Sequence, residues 1–120
     1  MKLARNLALL VGLVAILAAC QNPTPKLTFE GTSTIAGVGY DLRLVVDRHG
    51  DRLTGVYEVA VAGGSFSGTV AGTELTAELK SSAACVYSFT GTLNETSLTG
   101  SFAPSACPGG TSGVWSLDRK

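Results

Sequence analysis

Few residue types in this chain are able to do chemistry, and their spacing argues against each common mechanism in turn. The one histidine, His49, lies in Asp47-Arg48-His49-Gly50-Asp51. A Ser-His-Asp arrangement needs its imidazole held by a carboxylate in a pocket closed to water. A charged stretch around a glycine reads instead as a hairpin tip, with the imidazole solvated. The same residues place two carboxylates around a glycine but lack the further oxygen ligands and distal Glu of a calcium loop, so no metal is expected. Glu30, Asp41, Glu58, Glu74, Glu78 and Glu95 take outward or turn positions in the alternation described below, where carboxylates are solubilising groups. The glycines sit in strand-like segments with no strand-to-helix step after them, which is not a phosphate cradle. The expectation is a protein that is not an enzyme and uses no cofactor.

The three cysteines, Cys20, Cys85 and Cys107, carry more information. Ahead of Cys20, Met1 to Asn6 hold Lys2, Arg5 and the amino terminus, and Leu7 to Ala19 form 13 residues without a charged or polar side chain. A spanning helix needs about 20 apolar residues, so the pattern is that of an export signal. Leu17-Ala18-Ala19-Cys20 resembles the lipobox of bacterial lipoproteins. The resemblance implies a diacylglyceryl group on the Cys20 thiol, cleavage before Cys20 and acylation of the new amino terminus by a chain such as palmitate. The alternative is a plain secretory signal whose cut falls before a cysteine. Two or more chains give stable anchoring, since each buried CH₂ contributes about 0.8 kcal/mol. Gln21 stands where Asp marks inner-membrane retention in many diderm lipoproteins, so the resemblance favours the outer membrane. Gln21 to Lys26 contains two prolines and reads as an extended tether. The organisation expected is 1–19 signal, 20–26 lipidated cysteine and tether, and 27–120 one folded domain of the cell envelope.

Without the signal, 101 residues remain, enough for one modest core. Lys2 and Arg5 leave with the signal, which takes nine basic residues to seven against nine acidic ones. No cluster of Lys and Arg suggests nucleic-acid binding. With Cys20 assigned to lipid by the resemblance, Cys85 and Cys107 remain to pair in an oxidising compartment. A redox or metal pair would want CxxC-like spacing.

The elements that must position these residues read as short strands. In Tyr40 to Asp47, Tyr40, Leu42, Leu44 and Val46 share one face while Asp41, Arg43 and Asp47 share the other. A period of two separates them cleanly and a helical period would not. The same alternation runs through Leu27 to Gly31, Leu53 to Val61, Phe66 to Val70, Leu75 to Leu79, Cys85 to Gly91, Leu98 to Phe102 and Gly113 to Leu117, for eight strands. Turns are read at Arg48 to Asp51, Ala62-Gly63-Gly64, Ala71-Gly72, Ser81-Ser82 and Asn94-Glu95, short enough for antiparallel hairpins. Pro104 to Gly110 is the one long irregular connection, which a disulfide through Cys107 would tie back to the strand carrying Cys85. Residues 66–77 and 89–100 match at a constant offset of 23, a repeated strand-turn-strand unit.

Gly31, Gly55, Gly68, Gly91, Gly100 and Gly113 recur on the inward face, which marks sharp bending or close approach of a neighbour. Eight antiparallel strands bent that often can close and remove their edges. The fold expected is all-β, a small antiparallel up-and-down β-barrel, with a two-sheet sandwich as the alternative. Leu53-Thr54-Gly55-Val56-Tyr57 and Gly113-Val114-Trp115 resemble pieces of avidin-like and lipocalin-like barrels. The Gly-x-Trp falls in the last strand instead of the first and no polar set matches the ring around biotin, so the resemblance carries the fold class and no ligand.

All eight aromatic residues, Phe29, Tyr40, Tyr57, Phe66, Tyr87, Phe89, Phe102 and Trp115, share the inward face in this register. They either fill the barrel or line a cavity in which Tyr40, Tyr57, Tyr87 and Trp115 supply polar handles. Two functions follow: a lipid-anchored, non-enzymatic barrel that contacts an envelope protein, or a carrier of a small apolar ligand.

Overall fold

Because side chains two apart share a side of a strand, the inward positions of this chain can form a core only if the sheet curls around them. The computed structural model describes residues 26–60 and 62–120. The signal segment 1–19, Cys20, the tether as far as Pro25, and Val61 lie outside the described residues. The strands are β1 (Lys26–Ile35), β2 (Val38–His49), β3 (Arg52–Val59), β4 (Ala62–Ala71), β5 (Glu74–Ser81), β6 (Val86–Leu93), β7 (Ser97–Ala106) and β8 (Gly113–Arg119). Each pairs antiparallel with the next, and β1 pairs with β8 from Phe29↔Arg119 to Ile35↔Gly113, closing the barrel. The up-and-down barrel is the observed fold, and that closing ladder excludes the sandwich.

Three boundaries differ from the sequence reading. Lys26, assigned to the tether, opens β1 opposite Asp47. Ala62-Gly63-Gly64, read as a turn, lies within β4, where Val59↔Ala62 is the last rung with β3. Gly64 is there for space, since a Cβ would sit 2.0 Å from the Lys80 carbonyl oxygen. Pro104 to Ala106, read as loop, continues β7, and the irregular connection is residues 107–112. The ladder absorbs the proline through a bulge: Tyr87 pairs with Pro104 and Val86 with Ala106, so Ser105 is the extra residue. Its hydroxyl donates to the Val86 carbonyl at 3.3 Å. The Ala36-Gly37 hairpin, with φ of 52° and 78°, was not among the turns marked in the sequence.

The internal echo is a repeated hairpin, β4–β5 followed by β6–β7, with Val70↔Leu75 and Leu93↔Leu98 as equivalent rungs. Inward glycines mark where one backbone presses on the next. A Cβ on Gly31 would lie 2.1 Å from the Ser116 oxygen, and one on Gly55 would lie 1.9 Å from the Val45 oxygen. The interior is filled by Phe29, Phe66, Phe89, Leu44, Leu53, Leu75, Leu98, Leu117 and Val46, all essentially without solvent contact. Eight strands enclose just enough space for side chains to fill.

Gly55→Ala tests the close-approach argument. The added methyl meets backbone that cannot yield, so the variant should lose about 1 to 3 kcal/mol in urea unfolding, and unchanged stability would show that the strands separate freely there.

Candidate functional site

The topology sorts the connections into two groups. Residues 36–37, Ala60, 82–85 and 107–112 lie at one end of the barrel. Lys26, the turns at 50–51, 72–73 and 94–96, and Lys120 lie at the other. Lys26, the first described residue, therefore lies at the second end, here called proximal. The connections, though not the strands, divide by charge in the same way. No charged residue occurs in 31–40, 59–73, 81–94 or 96–117, and each of these runs contains one of the four distal connections. The proximal end carries Lys26, Arg48, Arg52, Arg119 and Lys120 together with Asp47, Asp51, Glu74, Glu95 and Asp118.

The two ends are also closed differently. Proximally, Val70, Leu93 and Arg119 donate their backbone N–H groups to the carbonyls of Asp51, Thr73 and Thr96, each at 2.8 Å. Arg48 Nε donates to Gly50 O of its own turn at 3.0 Å and Arg119 Nη1 to Glu95 O at 3.4 Å, and both side chains line the hollow at that mouth. Distally, the closing device is covalent. Cys85, just before β6, and Cys107, just after β7, form a disulfide with Cα atoms 4.6 Å apart, beyond the Val86↔Ala106 rung. Ser81 joins this to β5: Cys85 N–H donates to Ser81 Oγ at 3.2 Å, and Ser81 N–H donates to Cys85 O at 2.8 Å. Tyr87 Oη lies 3.5 Å from Cys107 Sγ. An oxidised cysteine has no S–H, so the tyrosine hydroxyl is the donor.

Inside the distal mouth the packing stops short and leaves an apolar cup of about 160 Å³. Its floor is Trp115, with Tyr57, Phe102 and Tyr87 around it and Ser33 and Ser81 in the wall. Trp115 lies 4.9 Å from Phe89, 5.6 Å from Tyr57, 6.2 Å from Phe66 and 6.3 Å from Phe102 between ring centroids. Tyr87 meets Phe102 edge-on at 5.7 Å, so four rings form a rigid set. The hollows of about 500 Å³, such as the one between Arg52, Ser67, Thr76 and Lys80, are open, polar depressions on the sheet, while one of about 330 Å³ at the proximal mouth is lined by Leu27, Phe29, Val70 and Leu93 together with Arg48, Glu95 and Arg119. The depressions on the sheet lack the enclosure that desolvates a ligand, and the proximal hollow differs from the cup in its charged lining.

Of the four tyrosine and tryptophan residues expected to line a cavity, the cup brings together Tyr57, Tyr87 and Trp115. Tyr40 is half-buried opposite Ser33 on the inward register and does not line it. Ser33 and Ser81 were missed, although continuing the alternation of β1 and β5 by one more step reaches both. Ser33 is the one polar residue among the described residues that is fully buried, at 1 % exposure. His49 is exposed and pairs with Arg52 at the end of β2. All six carboxylates read as outward are exposed. Among the described residues, no three His, Cys, Asp or Glu side chains gather as a metal site.

Burial, and secondarily the neighbouring Tyr87, raises the pKa of the Tyr57 phenol above its ordinary value. Gly64 leaves room for that hydroxyl, since a Cβ there would lie 2.8 Å from it. The cup therefore presents neutral hydroxyls and aromatic carbon, with no charged group.

No protein-family model matches the chain, and neither a curated protein nor a solved structure matches it.

The Tyr57 shift has a stability consequence. The folded state holds the phenol proton to higher pH than the unfolded state, which releases it near pH 10. Stability from this group is thus fully present below about pH 10 and is lost as pH rises through the folded pKa. Urea midpoints taken from about pH 8 to 11 should fall more steeply for the parent than for Tyr57→Phe, and parallel curves would contradict the burial of the phenol.

Proposed function

We propose that the mature chain is a non-enzymatic lipoprotein of the cell envelope, held to a membrane through Cys20, whose barrel offers its distal end to a partner protein. The observation that carries this reading is the absence of charge from all four distal connections. Charged residues are depleted at the centres of protein interfaces, whereas a free surface ordinarily carries them. Val38, 52 % exposed, and Ala83, Ala84, Pro108 and Gly109 give that end an apolar, small-residue surface. The disulfide supports the reading further, since a loop fixed before association loses little entropy on binding. Lys26 lies at the opposite end, so a tether starting at Cys20 leaves the distal rim facing away from the bilayer. Gln21 favours the outer membrane in a diderm cell.

The membrane part is tested by Cys20→Ser, which should abolish incorporation of labelled palmitate; persistent labelling overturns the anchor. The interface part is tested with a photo-crosslinking residue at Thr111 and, for comparison, at Thr73. A discrete adduct should form in the envelope only from position 111 and should be lost with Ala83→Glu while circular dichroism is unchanged. Equal adducts from both positions would overturn the assignment of the rim.

A second reading, a carrier of a small apolar ligand, is favoured by the cup. The filled barrel below it restricts that reading to small molecules and leaves no room for a long acyl chain.

A further inference from the structure

The cup's dimensions and lining specify its occupant more narrowly than the word apolar. About 160 Å³ is far below the 300 to 1,000 Å³ of pockets that enclose drug-sized ligands. It is close to the engineered cavity of about 150 Å³ that stays dry and binds benzene. One six-membered ring fits; a fused polycycle or a long chain does not. The wall already contains an edge-on pair, Tyr87 against Phe102, and a tilted pair, Tyr57 against Trp115, at 5.7 Å and 5.6 Å. A flat ring entering between these pairs extends the same arrangement, which stabilises aromatic contacts beyond their buried area.

Polarity narrows it further. The lining contains no charged side chain, so a carboxylate or ammonium ligand would be desolvated without a partner. It does contain hydroxyls. Ser33 is buried where the β1 alternation calls for an apolar residue, opposite both Tyr40 and Trp115. Ser81 and the Tyr57 phenol lie in the same wall, and burial keeps that phenol protonated and able to donate. Small side chains explain why the space exists at all. Ala62 occupies the inward rim position opposite Val59, where a larger residue would close the mouth.

We propose that the distal cup is a binding site for a neutral, single-ring aromatic molecule bearing one hydroxyl, with its ring among Tyr57, Tyr87, Phe102 and Trp115 and its hydroxyl toward the Ser33, Ser81 and Tyr57 oxygens. The proposal deepens the carrier reading of the cup and does not depend on a protein docking at the rim.

Trp115, the only tryptophan in the chain, reports directly on occupancy. The test uses the intact chain with Cys20→Ser, so that no detergent competes for the cup, and follows Trp115 emission during titration with p-cresol, toluene and decanoate. The expected result is saturable binding of p-cresol at roughly 0.1 to 1 mM, the range that so few non-hydrogen atoms can reach. Toluene should bind several-fold more weakly, and decanoate should give no saturable change. Tyr57→Phe should bring p-cresol and toluene closer together. Ala62→Phe, which fills the mouth, should weaken p-cresol at least tenfold with the circular dichroism spectrum retained, and Ile35→Phe on another wall provides the same test if that variant does not fold. A linear, unsaturated response to p-cresol, unchanged affinity in the filled variant, or equal binding of decanoate would overturn the proposal. The crosslinking from Thr111 reads a different surface, so loss of either result leaves the other standing.

Discussion

Everything in this domain depends on closure, the ladder between β1 and β8 that turns a row of hairpins into a container. Once closed, an eight-stranded barrel must fill its own interior with the side chains that happen to point inward. That constraint links features otherwise distant in sequence. Gly31 leaves no Cβ to strike β8, so the closing pair can approach, and Gly55, Gly91 and Gly100 do the same at other seams. The room released along the axis is taken by large side chains. Trp115 lies within 6.3 Å of four other rings, which ties β3, β4, β6 and β7 to the last strand. A glycine at the wall and a tryptophan at the centre are therefore two parts of one packing solution.

The filling is uneven, and the unevenness matters for function. Toward the proximal end, Phe29, Leu53, Leu75 and Leu98 pack without solvent contact, below a hollow lined by Arg48 and Arg119. Toward the distal end Ser33, Ala62, Gly64 and Ser81 interrupt the larger inward residues Ile35, Val59, Leu79 and Tyr87, and the cup lies among them. Those four small residues contribute little hydrophobic burial, at about 25 cal/mol per Å². Here a disulfide supplies order instead, closing a separation of 22 residues, for which the chain-entropy account gives roughly 3 kcal/mol. The covalent link falls at the end that holds the cup.

Much of the fold was legible because inward and outward residues alternate with few errors. The eight strands, the repeated hairpin and the Cys85–Cys107 bridge all emerge from period-two patterning and cysteine accounting. Legibility failed where residues are small. Gly63 and Gly64 carry turn-like chemistry, yet they serve a close approach inside β4, and only neighbouring backbone distinguishes the two uses. Pro104 suggests a loop until a bulge is known to absorb it. Tyr40 obeys the alternation but sits outside the cup, since register fixes a side chain's face and not which cavity it reaches. The division of charge was present in the sequence throughout, as uncharged runs each spanning a connection. It acquires meaning only when the topology places all four connections at one end.

That division also bears on orientation in the lipid-anchored reading. Five residues separate Cys20 from Lys26, a reach of at most about 20 Å. Such a short tether holds the charged, hydrogen-bonded end near the headgroups. Strands of 7 to 12 residues then carry the rim outward by roughly 20 to 30 Å, allowing for the tilt of barrel strands. Exposed lipid-facing surfaces shed charge because they enter hydrocarbon, but the uncharged end here is the one held away from the bilayer. In the proposed lipid-anchored orientation, its lack of charge would answer to a partner in the aqueous space. An apolar rim around an apolar cup, kept in one shape by a disulfide, meets that requirement as a preformed contact surface.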